Sequence, residues 1–139
     1  IANEILEYFP NASIQFPYNV VNQDFEGFKK MNKSNFFVRS IFLQGLLSKN
    51  EIKNINKELT LKHKTYLDLI KEKKLNPLHL CLDFINLNKE IDYIIFGVKS
   101  VGQLNEIMSY KMKKNYDKET VNKIKNIFFK FRNPNKWLA

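Results

Sequence analysis

The sequence predicts an α/β fold built from parallel βα units, and three observations carry that reading. Short apolar, β-prone runs alternate with stretches whose apolar residues recur every three or four positions. In order these read helix, strand, helix, strand, helix, helix, strand, helix, helix, the rhythm of strands joined by crossover helices. No Pro-, Gly- or Ser-rich stretch divides the 139 residues, so they read as one domain, 1–139.

Each element has a local cause. Ile1 to Phe9 reads as the end of a helix, with Ile5, Leu6 and Phe9 on one side, and Pro10-Asn11 stops it. Ala12 to Phe16 is a short strand. Asp24 to Lys33 reads as a short helix with Phe25 and Phe28 three apart. Asn35 to Ser40 is the second strand, its Phe36-Phe37-Val38 being β-prone. Gly45 to Asn50 is loop. Asn56 to Lys74 is helical, with Leu59, Tyr66, Leu69 and Ile70 on the core face. Asn76-Pro77 ends that helix and starts another, since proline suits a first helical turn. Pro77 to Asn86 is apolar nearly all round and should be deeply buried. Asp92 to Phe96 is the third strand, Val101 to Lys113 and Lys118 to Lys130 are helices, and Asn133 to Trp137 is irregular. The strands are largely apolar, as in sheets covered on both faces. Pattern alone leaves two architectures open: an open doubly wound sheet, or part of a closed barrel.

Composition bounds the function. A chain that is 44% hydrophobic and 14% aromatic packs as a globule rather than a disordered tail. No apolar run is long enough to span a membrane. The net charge of +9 raises the odds of a polyanionic partner. However, the lysines are scattered among asparagines and isoleucines, with no basic stripe interleaved with stacking aromatics, so a nucleic-acid partner is not expected. Cys81 is the only cysteine, which excludes an internal disulfide and fits a reducing cytoplasm as the expected compartment. Flanked by Leu80 and Leu82, it reads as a small buried apolar residue. The chain opens at Ile1 inside a helical pattern, from which a fragment of a longer protein is expected.

Gly97 to Met108, GVKSVGQLNEIM, is the most informative stretch. It follows the run Tyr93 to Phe96 and opens a helical pattern. Strand, glycine turn and helix start together leave backbone N–H groups free at a positive helix end, which suits a phosphate. Upstream stand IQFPYN, Ile14 to Asn19, and VRSIFLQGLL, Val38 to Leu47. In this order and spacing the three segments resemble the last three strand ends of the aldo/keto reductase family. That family's sixth strand ends in a glutamine followed by a Pro-Tyr-Asn-like sequence. Its seventh runs into a loop of the type Ser-Pro-Leu-x-x-Gly-Leu-Leu, and its eighth into Gly-x-x-x-x-x-Gln-Leu-x-Glu-Asn. The RSIFLQGLL form resembles a bacterial branch.

The resemblance implies a specific architecture: the C-terminal part of a (β/α)₈ TIM barrel, about strands six to eight with their helices, and NADP as cofactor. It places Gln15 at a strand end facing the nicotinamide carboxamide, where an amide both donates and accepts. The loop Arg39, Ser40, Ile41, Phe42, Leu43 to Gly45 lies against the nicotinamide and pyrophosphate. Arg39 stands where the family often has an aromatic ring; a guanidinium can stack there or meet a phosphate. Gly97 and Val98 supply backbone near the adenosine phosphate, and Lys99 and Ser100 are placed for a ribose 2′-phosphate, which favours NADP over NAD. Gln103, Glu106 and Ile107 follow on the adenine side, Ile107 replacing the family's asparagine. The plainer alternative for Lys99 is one surface lysine among many.

The family's catalytic aspartate, tyrosine, lysine and histidine lie on strands one to four. Tyr18, Lys29, His63, Lys64, Tyr66 and His79 sit at helix or loop positions unlike that set, so no catalytic residue is assigned. The parent reaction implied is reduction of a small aldehyde or ketone by hydride transfer, with this part supplying cofactor binding. The alternative is a truncated, non-catalytic module that binds a nucleotide or a partner. Three strands of a barrel leave open edges and an uncovered inner face, so self-association of the fragment is expected.

Overall fold

A five-residue strand, Ser13–Pro17 (β1), pairs in parallel with Asn35–Arg39 (β2), which pairs in parallel with Tyr93–Ile94 (β3). The computed structural model describes residues 2–24, 34–52, 55–113 and 116–137. Apart from Asp24, the short helix expected over 24–33 lies outside the described residues, as does Lys29. Around the sheet stand helices Ala2–Tyr8 (α1), Lys57–Glu72 (α2), Pro77–Asn86 (α3), Val101–Ser109 (α4) and Lys118–Ile127 (α5). Strand order β1-β2-β3 with parallel pairing is what successive βα units produce.

The strand register divides the sheet into two faces. Ile14, Phe16, Phe36, Val38 and Ile94 share one face by register, and Phe16, Phe36 and Val38 are buried beneath the helices. Phe16 and Phe36 meet edge to face at 5.7 Å. Gln15, Phe37 and Tyr93 share the other face. Gln15 and Tyr93 are exposed there and Phe37 is half-buried, stacked on Tyr93 at 4.6 Å. Apolar strands therefore do not mean two covered faces here. The helices cover one, and among the described residues nothing covers the other.

The helices start where their caps dictate. The Asn56, Asn76, Ser100 and Asp117 side chains each accept the backbone N–H three residues on, at Leu59, His79, Gln103 and Thr120. The buried face of α2 carries Leu59, His63, Tyr66 and Ile70, with Leu69 half-buried. Helix α3 has the expected bounds and buries six of its ten residues.

Several elements differ from expectation, four of them with an identifiable cause. The third strand is shorter than Asp92–Phe96 because β2 turns away at Ser40, whose φ is 58°. Hydrogen bonds from Asp92 N to Phe36 O and Ile95 N to Val38 O still extend the pairing at either end. Helix α4 stops at Ser109 rather than Lys113. Asp83, buried on α3, accepts the Tyr110 hydroxyl and the Lys113 backbone N–H, and pulls that segment out of the helix. Helix α5 ends at Ile127, and a 3₁₀ turn, Phe129–Phe131, follows. The Trp137 indole N–H donates to the Phe131 carbonyl at 2.8 Å and fixes that turn. The tail expected to be irregular forms a 3₁₀ turn, Pro134–Lys136, capped by Asn133.

Candidate functional site

The carboxyl ends of β2 and β3 point at one cleft of about 670 Å³. Arg39 to Phe42, Gln44, Gly45, Ser48 and Lys49 line one wall, and Ile95 to Lys99 with Gln103 line the other. Two loops 50 residues apart in sequence thus meet, as the crevice at the strand ends of an α/β sheet requires.

The wall after β2 is built under strain. Ser40, Leu43 and Gln44 have φ of 58°, 44° and 53°, and Gly45 has 90°. Left-handed backbone costs about 1–2 kcal/mol per non-glycine residue, so surrounding contacts must hold this turn. Leu43, Leu46 and Leu47 are buried under it. Asn19, 1% exposed, donates from Nδ2 to the Ser40 carbonyl at 3.1 Å while its Oδ1 accepts from Val21 N and Asn22 N. From below, the Tyr66 hydroxyl donates to the Leu47 carbonyl at 2.7 Å, and the Cys81 Sγ lies 3.7 Å from the same oxygen. Burial pushes the Cys81 thiol up to about 12 and Tyr66 well above the usual phenol range. Neither group ionises near neutrality.

Gly45 is required twice over. Its φ suits glycine, and a Cβ there would stand 2.9 Å from Lys49 Cε and 3.1 Å from Lys49 Nζ. The Lys49 side chain is therefore folded back over residue 45, into the cleft. Gly97 is the opposite case: no protein atom lies within 4 Å of where its Cβ would be. The chain's own packing does not demand a glycine there, and its backbone is left open to the cleft.

The wall after β3 ends in the α4 cap. Ser100 Oγ accepts from Gln103 N at 3.2 Å, and Gln103 Oε1 accepts from Lys99 N at 3.0 Å. This reciprocal arrangement resembles a capping box shifted by one residue. It occupies the Gln103 oxygen and leaves its amide N–H₂ as the group available to a ligand.

The cleft's charge is one-sided. Among the described residues Arg39, Lys49 and Lys99 line it, and no carboxylate does. Among the described residues none of the three forms an ion pair. Arg39 Nη1 donates to Ser40 Oγ at 3.2 Å. Beneath the cations lie Ile41, Phe42 and Phe96, the two rings edge to face at 6.5 Å. An apolar floor with a cationic rim suits a flat ring joined to an anion.

Of the sequence-predicted residues, the cleft gathers Arg39, Ser40, Ile41, Phe42, Gly45, Gly97, Val98, Lys99 and Gln103. Gln15 stands apart, exposed on the bare sheet face. Leu43 and Ile107 are buried in the core, Glu106 is exposed on α4, and Ser100 is taken up by its cap. Ser48, Lys49, Ile95 and Phe96 line the cleft but were not among the sequence-predicted site residues, and Gln44 entered only as part of the loop running to Gly45. Lys49 looked like one lysine among many, and only the turn at Gly45 brings it inward. Asn19, within IQFPYN, carried a signal that was present but unread: an asparagine right after a strand commonly closes a turn.

Tyr18, His79 and His63 lie outside the cleft lining. Tyr18 packs on Phe84 at 5.2 Å. His79 lies 4.5 Å from the Tyr110 ring. His63 is 6% exposed behind the cleft, where burial lowers its pKa. Among the described residues there is no cluster of His, Cys, Asp and Glu able to hold a metal ion, and no helix long and apolar enough to cross a membrane.

The model of the Aldo/keto reductase family aligns with residues 2–128. No curated protein matches the chain.

Proposed function

We propose, since the chain belongs to the aldo/keto reductase family, that residues 1–139 form the cofactor-binding back of a nicotinamide-dependent carbonyl reductase, about strands six to eight of its TIM barrel. The observation that carries this reading is the cleft's charge: among the described residues three cations and no carboxylate, at the carboxyl ends of parallel strands. That donor set fits a dinucleotide. Bound there, the nicotinamide would supply hydride to an aldehyde or ketone.

Each residue then has a task set by its chemistry. Ile41, Phe42 and Phe96 give a flat, water-excluding floor for a ring. Arg39 and Lys49 face it with charge and the Gly97 backbone stays open to close approach. Lys99 is exposed on the rim, where a point charge can meet a ribose 2′-phosphate. The Gln103 amide N–H₂ offers one further donor.

The test is cofactor discrimination. Lys99→Ala should weaken NADPH binding and leave NADH nearly unchanged. A charge-assisted hydrogen bond contributes roughly 1.5–3 kcal/mol, on the order of tenfold to a hundredfold in affinity. Gln103→Ala should weaken both cofactors alike. Fluorescence titration of each variant with each cofactor separates these. Equal losses for NADPH and NADH on Lys99→Ala would leave the preference for NADP without support.

A further inference from the structure

His63 lies behind the cleft and is not among the residues that line it, yet it holds one that is. Its Nε2 is 3.2 Å from the Lys49 carbonyl oxygen. A carbonyl only accepts, so Nε2 carries the proton. The Lys49 N–H in turn donates to the Gly45 carbonyl at 3.1 Å. One turn further along α2, the Tyr66 hydroxyl takes the Leu47 carbonyl. Two successive turns of a buried helix face thus fix two carbonyls of the cleft wall, at residues 47 and 49. The Lys49 backbone is pinned from both sides, and its side chain is turned over Gly45.

Packing alone does not call for a histidine at position 63. The site is buried, and a leucine of similar size would fill it without the desolvation that lowers the imidazole pKa. What leucine lacks is the N–H for Lys49 O. A lysine has four rotatable side-chain bonds and gains little as an anion contact unless its backbone is placed beforehand.

We propose that His63 is a positioning residue for Lys49, setting that cation where it contacts the diphosphate common to NADH and NADPH. The inference rests on the cofactor reading above, and the experiment distinguishes the two. ADP serves as the probe because it carries the diphosphate without nicotinamide or 2′-phosphate. Lys49→Met should weaken ADP roughly tenfold. His63→Leu should weaken it by several-fold, and His63→Gln, which keeps an N–H donor, should recover most of the loss. Adding His63→Leu to Lys49→Met should cost little more, because the histidine acts through the lysine. The ratio of NADPH to NADH affinity should not move in His63→Leu. In hydrogen exchange without nucleotide, the Lys49 amide should lose protection in His63→Leu and regain it in His63→Gln.

Unchanged ADP binding in a folded His63→Leu, no rescue by glutamine, or fully additive losses would each overturn the inference and leave the cofactor reading standing. If the wild-type protein bound ADP, NADPH and NADH not at all, the cofactor reading would fall. The exchange pattern would then decide by itself whether His63 places Lys49.

Discussion

At the scale of single residues, three buried polar side chains are set against particular backbone carbonyls. Asn19 holds Ser40, Tyr66 holds Leu47 and His63 holds Lys49. All three serve the strained turn after β2. Removing the Asn19 amide leaves the Ser40 carbonyl and two backbone N–H groups without that partner, so Asn19→Ala should cost on the order of 1–3 kcal/mol. Denaturant unfolding reads this directly; an unchanged midpoint would mean that the turn holds itself. Cys81 offers a second residue-scale test. With its thiol pushed up to about 12 by full burial, only a trace is thiolate at pH 8. A thiol reagent should leave native protein unmodified for hours and label it once unfolded in guanidinium. Prompt reaction of native protein would contradict the buried placement.

At the scale of elements, helix starts were legible in the sequence, and so was the end of α3, but the ends of α4 and α5 were not. Asn56 and Asn76 announce their helices by a local rule, an oxygen three residues before an orphan N–H. The end of α4 is set by a partner far along the chain, Asp83, while α5 gives way to a 3₁₀ turn held by Trp137, six residues past Phe131. A short window around the end of α4 does not contain Asp83, and helical periodicity carries no sign of the Trp137–Phe131 bond. The cleft divides in the same way. Its motif residues were visible as motifs, whereas Lys49 enters only through the turn that folds it over Gly45. Asp83 is the element-scale test: Asp83→Ala should destabilise the protein, lengthen α4 toward Lys113 and raise its helical content. Circular dichroism with amide exchange at residues 110–113 would show it, and an unchanged α4 would mean that another contact ends the helix.

The elements also share an alkaline weakness. Cys81 and Tyr110 have pKa values raised to about 12, by burial first and, for Tyr110, by its bond to Asp83 second; Tyr66 and Tyr116 are raised by burial too. These groups are protonated when folded. A folded pKa above the unfolded one contributes stability that is complete below the unfolded pKa, near 9 for the thiol and 10 for the phenols, and is lost as pH rises toward 12. The melting temperature should therefore be flat from pH 7 to about 9 and fall steeply above it, with part of the tyrosine absorbance change appearing only on unfolding. Stability unchanged between pH 9 and 12 would contradict the burial of these groups.

At the scale of the molecule, a strong cationic charge opposes an incomplete sheet. β1 and β3 are edge strands, one sheet face carries the bare Gln15, Phe37 and Tyr93, and α4 exposes Val101 and Met108 at 74% and 72%. Unpaired edges and exposed apolar surface both favour association of copies. The net charge of +9 works against it, because two copies repel before their edges can meet. Salt decides the balance. Screening shortens the reach of the repulsion from roughly 30 Å at 0.01 M to about 8 Å at 0.15 M, while apolar burial is little weakened. Residues 1–139 alone should thus be more monomeric at low salt and associate as salt is raised, the reverse of an interface held by ion pairs. Val101→Lys with Met108→Lys should oppose association if α4 is the adhesive surface. The double variant should leave it intact if the strand edges are. Sedimentation velocity across a salt series reads both; a monomer at every salt concentration would show that the bare face and edges are not adhesive, and would favour a self-contained open sheet.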